Sequence, residues 1–476
     1  MKRAVVIWLI MLAAVAEAQT LEQARAWYNE GRYEEAKPVF ERLVKSAPSN
    51  GNYCLWFGVC CLKTGEADRS IKYLQTAVKK SVSSGRLHLA QAYHAAGRYD
   101  EAVSTFDDYI ADLARRKRST DLADSLQRIS RLGVRLLKGV EQVVIIDSVV
   151  VDKADLLSVY SLSGESGRLF GDVVQQDDTL PVRITVYETE LGNRRYFSEP
   201  LADGGSRLVT SDKTDDGWSE ARPLPGLTET APGAAYPYVM ADGVTLYFAA
   251  QGTENSLGGW DIFVTRYSTG QAAYLGAENI GLPFNSPYND YMFAVDEFND
   301  LGWFASDRFQ PEGKVCVYIF VPNETKRVYS YEQTEHETLI SLSRINSIAD
   351  TWPDGTAPED ALQRLAELQT EGPVEQVGKA DEFSFVINDR YTYHHTSDFR
   401  SSEALQLFLT YRGQQRTRAD SVEQLSELRL RYAESDASTR RRLSPTILQM
   451  EQDLLSMDRQ LARLEVEIRR HENGGE

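Results

Sequence analysis

Apolar residues in this 476-residue chain follow a helical period, then a strand period, then a helical period again. From Leu21 to Leu137 they recur at three- and four-residue steps, as in helices with one buried face. At Val143 the run VVIIDSVVV reads as a strand, and from Pro181 to Val321 a two-residue alternation is broken by Gly, Asn and Asp turns. From Ser401 the helical step returns. Leu425, Leu428 and Tyr432 mark one helix. Ile447, Met450, Leu454, Met457, Leu461, Leu464 and Ile468 then step alternately by three and four, an a/d seam. Ser444 is placed to cap that second helix, with Pro445 in its first turn, where proline is tolerated. The seam predicts a helical hairpin or coiled coil. It can pair within the chain, with a second copy through residues 444–470, or with another protein.

Internal repeats sharpen this reading. The strings GRYEEAKPVF, GEADRSIKYL and GRYDEAVSTF start at Gly31, Gly65 and Gly97. In each, a small residue (Ala36, Ser70, Ala102) stands four before a large one (Phe40, Leu74, Phe106), so both face the same way along a helix. Each Gly is expected at positive φ, ending the helix before it. A further helix near Asp121–Leu137, with Leu122, Leu126, Ile129, Leu132 and Leu136 on one face, is expected to seal the stack. A helix, a Gly turn and a second helix at this spacing resemble the tetratricopeptide repeat over about residues 21–110. Pro48 stands where that family places its inter-repeat proline, whereas Cys54 and Cys61 occupy positions usually aromatic. The resemblance implies a concave groove for a peptide or helix; the alternative is that so short an array caps and rigidifies its neighbour.

The strand region carries a second repeat. Trp218 matches Tyr274, Leu224 matches Ile280, Tyr247-Phe248-Ala249 matches Trp303-Phe304-Ala305, and Phe263 matches Ile319, each pair 56 residues apart. A degenerate earlier copy includes RYFSEP from Arg195 and RLVTS from Arg207. Repeated small antiparallel sheets suggest a β-propeller. The strings ADGVTLYFAAQGTENSLGGWDIFVTR and NIGLPFNSPYNDYMFAVDEFNDLGWFASDR resemble the TolB-like (WD40-like) propeller repeat, which gives Gly258, Gly259 and Asp261 a structural role. A closed ring would recruit Val143–Val151 on one side and Phe383–Tyr393 on the other; an open or irregular sheet is the alternative. The pairing of the two modules looks like a family of Bacteroidetes envelope proteins. Some relatives with this layout serve type IX secretion and carry an OmpA-type domain that nothing here resembles.

Composition then narrows the function. A net charge of −18 argues against a nucleic-acid partner. The basic runs Arg115–Arg118 and Arg440–Arg442 read as solvated helix faces. Lys2 and Arg3, the apolar run Val5–Val15 and Ala16-Glu17-Ala18 form a secretory signal peptide, cleaved after Ala18. The run is too short to span a bilayer, and no later segment is apolar enough to do so. Cys54, Cys60 and Cys61 share one helix, where Cys54 and Cys61 lie two turns apart and cannot close, and Cys316 lies in a strand of another domain, so four free thiols are expected.

Catalytic motifs are missing. Gly164-Glu165-Ser166-Gly167 lacks the spacing of a nucleophile elbow, no His-Glu-x-x-His occurs, and His394-His395 reads as structural or surface. Asp212–Gly217 resembles the start of a calcium loop, but its twelfth position is Pro223 where a Glu is needed. Asp296–Asp300 reads as a polar turn. No catalytic, cofactor or metal residue is assigned. The residues singled out, Gly31, Ala36, Gly65, Ser70, Gly97, Ala102, Gly258, Gly259 and Asp261, are repeat signatures.

The expected layout is a signal peptide (1–18), an all-α tetratricopeptide-type domain (19–140), an all-β propeller-like domain (141–400) and a C-terminal helical hairpin or coiled coil (401–476). The expected function is a non-enzymatic, periplasmic or outer-membrane-associated scaffold that needs no cofactor. It would bind other envelope proteins through the repeat groove and propeller face, and serve outer-membrane or secretion-related assembly. A glycan- or peptidoglycan-binding module is the alternative, and a cryptic hydrolase a third.

Overall fold

A computed structural model describes residues 21–174, 182–201, 205–215, 217–227, 231, 233–370, 385–388, 391–393, 399, 401–434 and 437–472. The leader expected at 1–18 and the pair His394-His395 lie outside them. The chain divides into two units, Met1–Pro373 and Val374–Glu476.

Among the described residues, seven helices open the first unit: α1 (Leu21–Asn29), α2 (Tyr33–Ser46), α3 (Gly51–Lys63), α4 (Ala67–Lys79), α5 (Gly85–Ala95), α6 (Tyr99–Arg115) and α7 (Asp121–Leu137). Successive helices pack on one another. The side chain of Asn50 caps α3 by accepting from the backbone N–H groups of Asn52 and Tyr53. Small residues set the spacing: a Cβ on Gly58 would sit 2.7 Å from Leu74 Cγ. All four cysteines are free and buried. Burial pushes the thiols of Cys60 and Cys61 up to about 12.

α7 packs against α6 but is rotated from the expected face. Its buried positions include Ala123, Gln127, Ser130 and Gly133, whereas Leu122 is 65 % exposed. Leu126, Ile129 and Leu136 are only partly buried, and of the expected face Leu132 alone is fully buried. The cause is close approach. A Cβ on Gly133 would meet the Tyr99 ring at 2.4 Å, so only small residues fit against α6. Gln127 Nε2 donates to Asp107 Oδ1 at 2.7 Å across the same contact.

Three antiparallel sheets follow. The first holds β2 (Arg168–Val174), β3 (Val182–Glu188), β4 (Arg194–Pro200) and β5 (Ser206–Thr214), with β6 (Gly217–Trp218) and β7 (Arg222–Pro223) added on β5. The second holds β8 (Ala235–Val239), β9 (Thr245–Gln251) and β10 (Trp260–Ser268), with β11 (Ala273–Tyr274) and β12 (Glu278–Asn279) on β10. The third runs β13 (Asp290–Asp296), β14 (Leu301–Ser306), β15 (Lys314–Val321), and is completed by β1 (Val144–Asp152). The long strands of each sheet pair with their chain neighbours as hairpins; among the described strands β1 alone arrives from far away in the sequence. One core serves all three sheets, with Tyr187 and Leu208 from the first, Tyr238 and Phe248 from the second, and Met292 and Trp303 from the third.

Two helices within the strand region escape the periodicity argument. α8 (His336–Arg344) and α9 (Glu359–Thr370) follow β15, and α9 adds Ala361, Leu365 and Leu368 to the shared core. Asp212 is held between Arg194 and Arg222 beside the β5–β6 pairing, where Lys213 and Thr214 face Trp218 and Gly217.

The expected ring segment at 383–393 does not extend these sheets. Its described part forms β16 (Phe385–Asn388) and β17 (Tyr391–Tyr393), a hairpin in the second unit. There it packs with α10 (Ser402–Glu434) and α11 (Ala437–Glu472) around Phe408, Leu461 and Ile468. Tyr411, early in α10, donates to Glu465, late in α11, at 2.7 Å, so the two helices run antiparallel. Ile447, Leu461 and Ile468 of the seam are buried, and Met450, Leu454, Met457 and Leu464 are partly buried. Tyr432, by contrast, is exposed. α11 starts well before Ser444 and runs through Pro445, so Ser444 is not its cap.

Candidate functional site

The repeat signatures do not converge on one site. Gly31, Gly65 and Gly97 have φ of +80°, +81° and +71°, each between two helices. Ala36, Ser70 and Ala102 are fully buried along the spine of the array. Gly258, Gly259 and Asp261 sit elsewhere, where the second sheet meets the segment entering β13.

That meeting point is a closed polar lock. A Cβ on Gly258 would fall 2.0 Å from the Tyr288 carbonyl oxygen, and one on Gly259 2.1 Å from Asn289 Oδ1. Asp261 accepts from the Leu257 N–H (2.7 Å), the Gly258 N–H (2.9 Å) and Asn279 Nδ2 (2.7 Å). Asn285 imitates a strand, accepting from the Ile262 N–H and donating to its carbonyl. Asp290 and Arg308, both fully buried, pair at 2.8 Å, and Arg308 also donates to the carbonyls of Pro283 and Phe284. Burial, then the charge of Asp290, pushes Asp261 up to about 7. These groups satisfy one another and are shut from solvent, and together they hold the second sheet to the segment entering β13. Arg308 was not singled out in the sequence, because a lone Arg after a strand looks like surface charge.

The lock also receives the helical array. His94, at the end of α5, meets the Leu257 carbonyl through Nε2 (3.2 Å) and Ser130 Oγ through Nδ1 (3.1 Å). A carbonyl only accepts, so Nε2 carries the proton. Burial lowers the pKa of His94 to about 4 and keeps it neutral. Leu257 is thus held by Asp261 through its N–H and by His94 through its carbonyl. Around it Tyr99, Leu282, Leu339 and Ile340 form an apolar seam. Arg344 of α8 grips both carboxylate oxygens of Asp68 at 3.1 and 2.6 Å. The third repeat is therefore built into the strand region through His94 and Tyr99, and Asp68 ties the second repeat to it as well.

Asp296 is likewise internal. Its carboxylate accepts from Ser163, Ser166, Phe298 and Asn299, which ties the Gly164–Gly167 turn to the end of β13. Among the described residues, no group of three or more His, Cys, Asp or Glu could hold a metal ion. No described helix is long and apolar enough to cross a membrane.

A hollow of about 910 Å³ lies between the turn Lys153–Val159, the inner face of the first sheet and the near edge of the second. Tyr236, Trp260, Thr185, Ser198, Lys153 and Arg183 contribute to its wall.

The family model described as "Anaphase-promoting complex, cyclosome, subunit 3" matches residues 29–109, the span of the helical repeats. No curated protein and no solved structure matches the chain. What is established is a tetratricopeptide-like array followed by a strand-rich region and C-terminal helices, and such arrays point to protein partners.

Proposed function

We propose that the chain is a non-enzymatic scaffold of a bacterial envelope, exported by its leader, that holds protein partners on its helical repeats. The observation that carries this reading is the array itself: three helix–Gly–helix units, with a family match over the same residues. The anchoring of the third unit, with Asp68 of the second as a further tie, supports it, since a rigid base presents the first helices of the first two units. Three meander sheets, the last completed on its outer side by an early strand, support a propeller-like and incomplete ring for the strand region. The residues most suggestive of chemistry, Asp261, Asp290 and Asp296, are consumed in internal hydrogen bonds, which favours a binding role over catalysis. The resemblance to Bacteroidetes envelope proteins supports a periplasmic or outer-membrane-associated location and a part in envelope assembly or secretion.

The test is site-specific photocrosslinking in cells. Probes at the exposed positions Arg25, Asn52 and Lys63, on the first helices of the first two units, should capture one common protein. A probe at exposed Asp108 on α6 should not. The same cells should release a periplasmic chain beginning at Gln19. Equal capture at all four positions, or turnover of a polysaccharide or peptide abolished by one carboxylate substitution, would overturn the scaffold reading.

A further inference from the structure

The hollow between the first two sheets has features that a simple packing gap lacks. Its floor is a row across one sheet face. Gly171 pairs with Thr185, and Ser198 follows Phe197, the partner of Val186, so it continues the row on β4. The adjacent row on that face carries Tyr187 and Tyr196, which belong to the core. Where the same face would take further large apolar residues, the chain places a glycine and two hydroxyls. Thr185 and Ser198 are 8 % and 5 % exposed. Among the described residues, neither hydroxyl makes a hydrogen bond. Both hydroxyls open onto the hollow, where water or a polar group of a ligand bonds them.

The wall opposite is strained in a way that serves the hollow. Between Ala235 and Tyr238 the register of β8 against β9 shifts by one residue, a β-bulge. Tyr236 sits in it with φ of +56°, immediately before Pro237. A bulky residue in that conformation costs about 1–2 kcal/mol, and the position before a proline prefers extended backbone. The twist turns the Tyr236 ring edge-on against Trp260 (5.9 Å) and Tyr291 (5.6 Å), forming an aromatic corner at the hollow. Lys153 lies over the Tyr291 ring at 4.1 Å, and Arg183 is tethered to the Ala154 carbonyl at 3.1 Å. Against these two cations the described lining residues set one carboxylate, Asp155, in a chain of net charge −18.

We propose that this hollow binds an acidic oligosaccharide. The aromatic corner takes the apolar face of a sugar ring. Thr185 and Ser198 bond its hydroxyls, and Lys153 and Arg183 receive its carboxylate. A sugar fits better than a peptide strand because the floor is a sheet face whose backbone groups are already used in the ladder. The strand edge that borders the hollow, β8, is bulged at Tyr236 and so lacks the regular ladder that an added strand needs.

The full mature chain is titrated with a polygalacturonate hexasaccharide, a cellohexaose, an N-acetylmuramic acid disaccharide and an acidic decapeptide, by calorimetry and tryptophan fluorescence. Saturable binding of an acidic saccharide is expected, about tenfold tighter than of cellohexaose. Tyr236→Gly relieves the left-handed strain while removing the ring. It should stay folded, by circular dichroism and melting, and lose about tenfold or more in affinity. Lys153→Gln should reduce the preference for acidic over neutral sugar. Binding of no saccharide, binding of cellohexaose alone, capture of the peptide alone, or undiminished binding by a folded Tyr236→Gly chain overturns the proposal. Each outcome is independent of the crosslinks on α1 and α3, so the scaffold reading stands or falls separately.

Discussion

A single methyl group separates two kinds of glycine in this chain. At Gly31 φ is +80° and nothing lies within 4 Å of where a Cβ would be. Alanine there meets only the left-handed backbone cost, about 1 kcal/mol. At Gly258 the added carbon would press on the carbonyl oxygens of Tyr288 and Ser286, both rigid backbone. Gly258→Ala should therefore cost about 3 kcal/mol, and urea unfolding of the two variants should separate them. Equal losses would mean that the lock around Asp261 yields easily. The turn glycines were legible from sequence because the backbone demand is written in their identity and recurs with the helical period. The reason for Gly258-Gly259 was not, since the segment that crowds them, Asn285–Asp290, arrives some thirty residues later. Arg308 was invisible for a related reason: its meaning depends on burial, which no local pattern carries.

At the scale of elements, the seam of α11 was the most legible feature, because seven apolar positions specify one face of a helix. Its consequence is sharp. Leu461 is buried and Val466, five residues on and off the seam, is 63 % exposed. Leu461→Asp should cost about 3 kcal/mol or more and lower the melting of the α10–α11 hairpin, followed by helical circular dichroism. Val466→Asp should change it little. If both behave alike, the seam does not hold the hairpin. The start of α11 was misread because Ser444-Pro445 has the chemistry of a helix start, yet pairing with α10 carries the helix through it. α7 was misread because leucines advertise a buried face, whereas close packing on Tyr99 selected glycine, alanine and serine instead. Of the strands, hairpin neighbours followed from alternation, while the partner of Val144–Asp152 required the fold.

Across the whole molecule, the anchored third repeat makes helical array and strand region one cooperative body, and His94 is its acid-sensitive joint. The unfolded chain takes up a proton near 6.5, the buried ring only near 4. Stability from the neutral ring is therefore complete above about pH 6.5 and drains away as pH falls toward 4, by about 3 kcal/mol. The unfolding free energy of the wild type, measured against His94→Gln between about pH 7.5 and 4.5, should lose its advantage in acid. A constant difference would remove His94 from the account.

The joining of β1 to β15 has a consequence for how the chain must be made. Val144 pairs with Val321 and Asp152 with Lys314, so the strand emerges from a ribosome or an export pore about 160 residues ahead of its partner. During that interval VVIIDSVVV, β-branched and nearly uncharged, is an unpaired edge able to template other chains. A product ending at Gly313 should aggregate or stay bound to a holding chaperone in pull-down, and one reaching Pro373 should not. Delivery in order, from first residue to last, exposes the stickiest strand early and covers it late, so safe passage rests on whatever attends the chain in between.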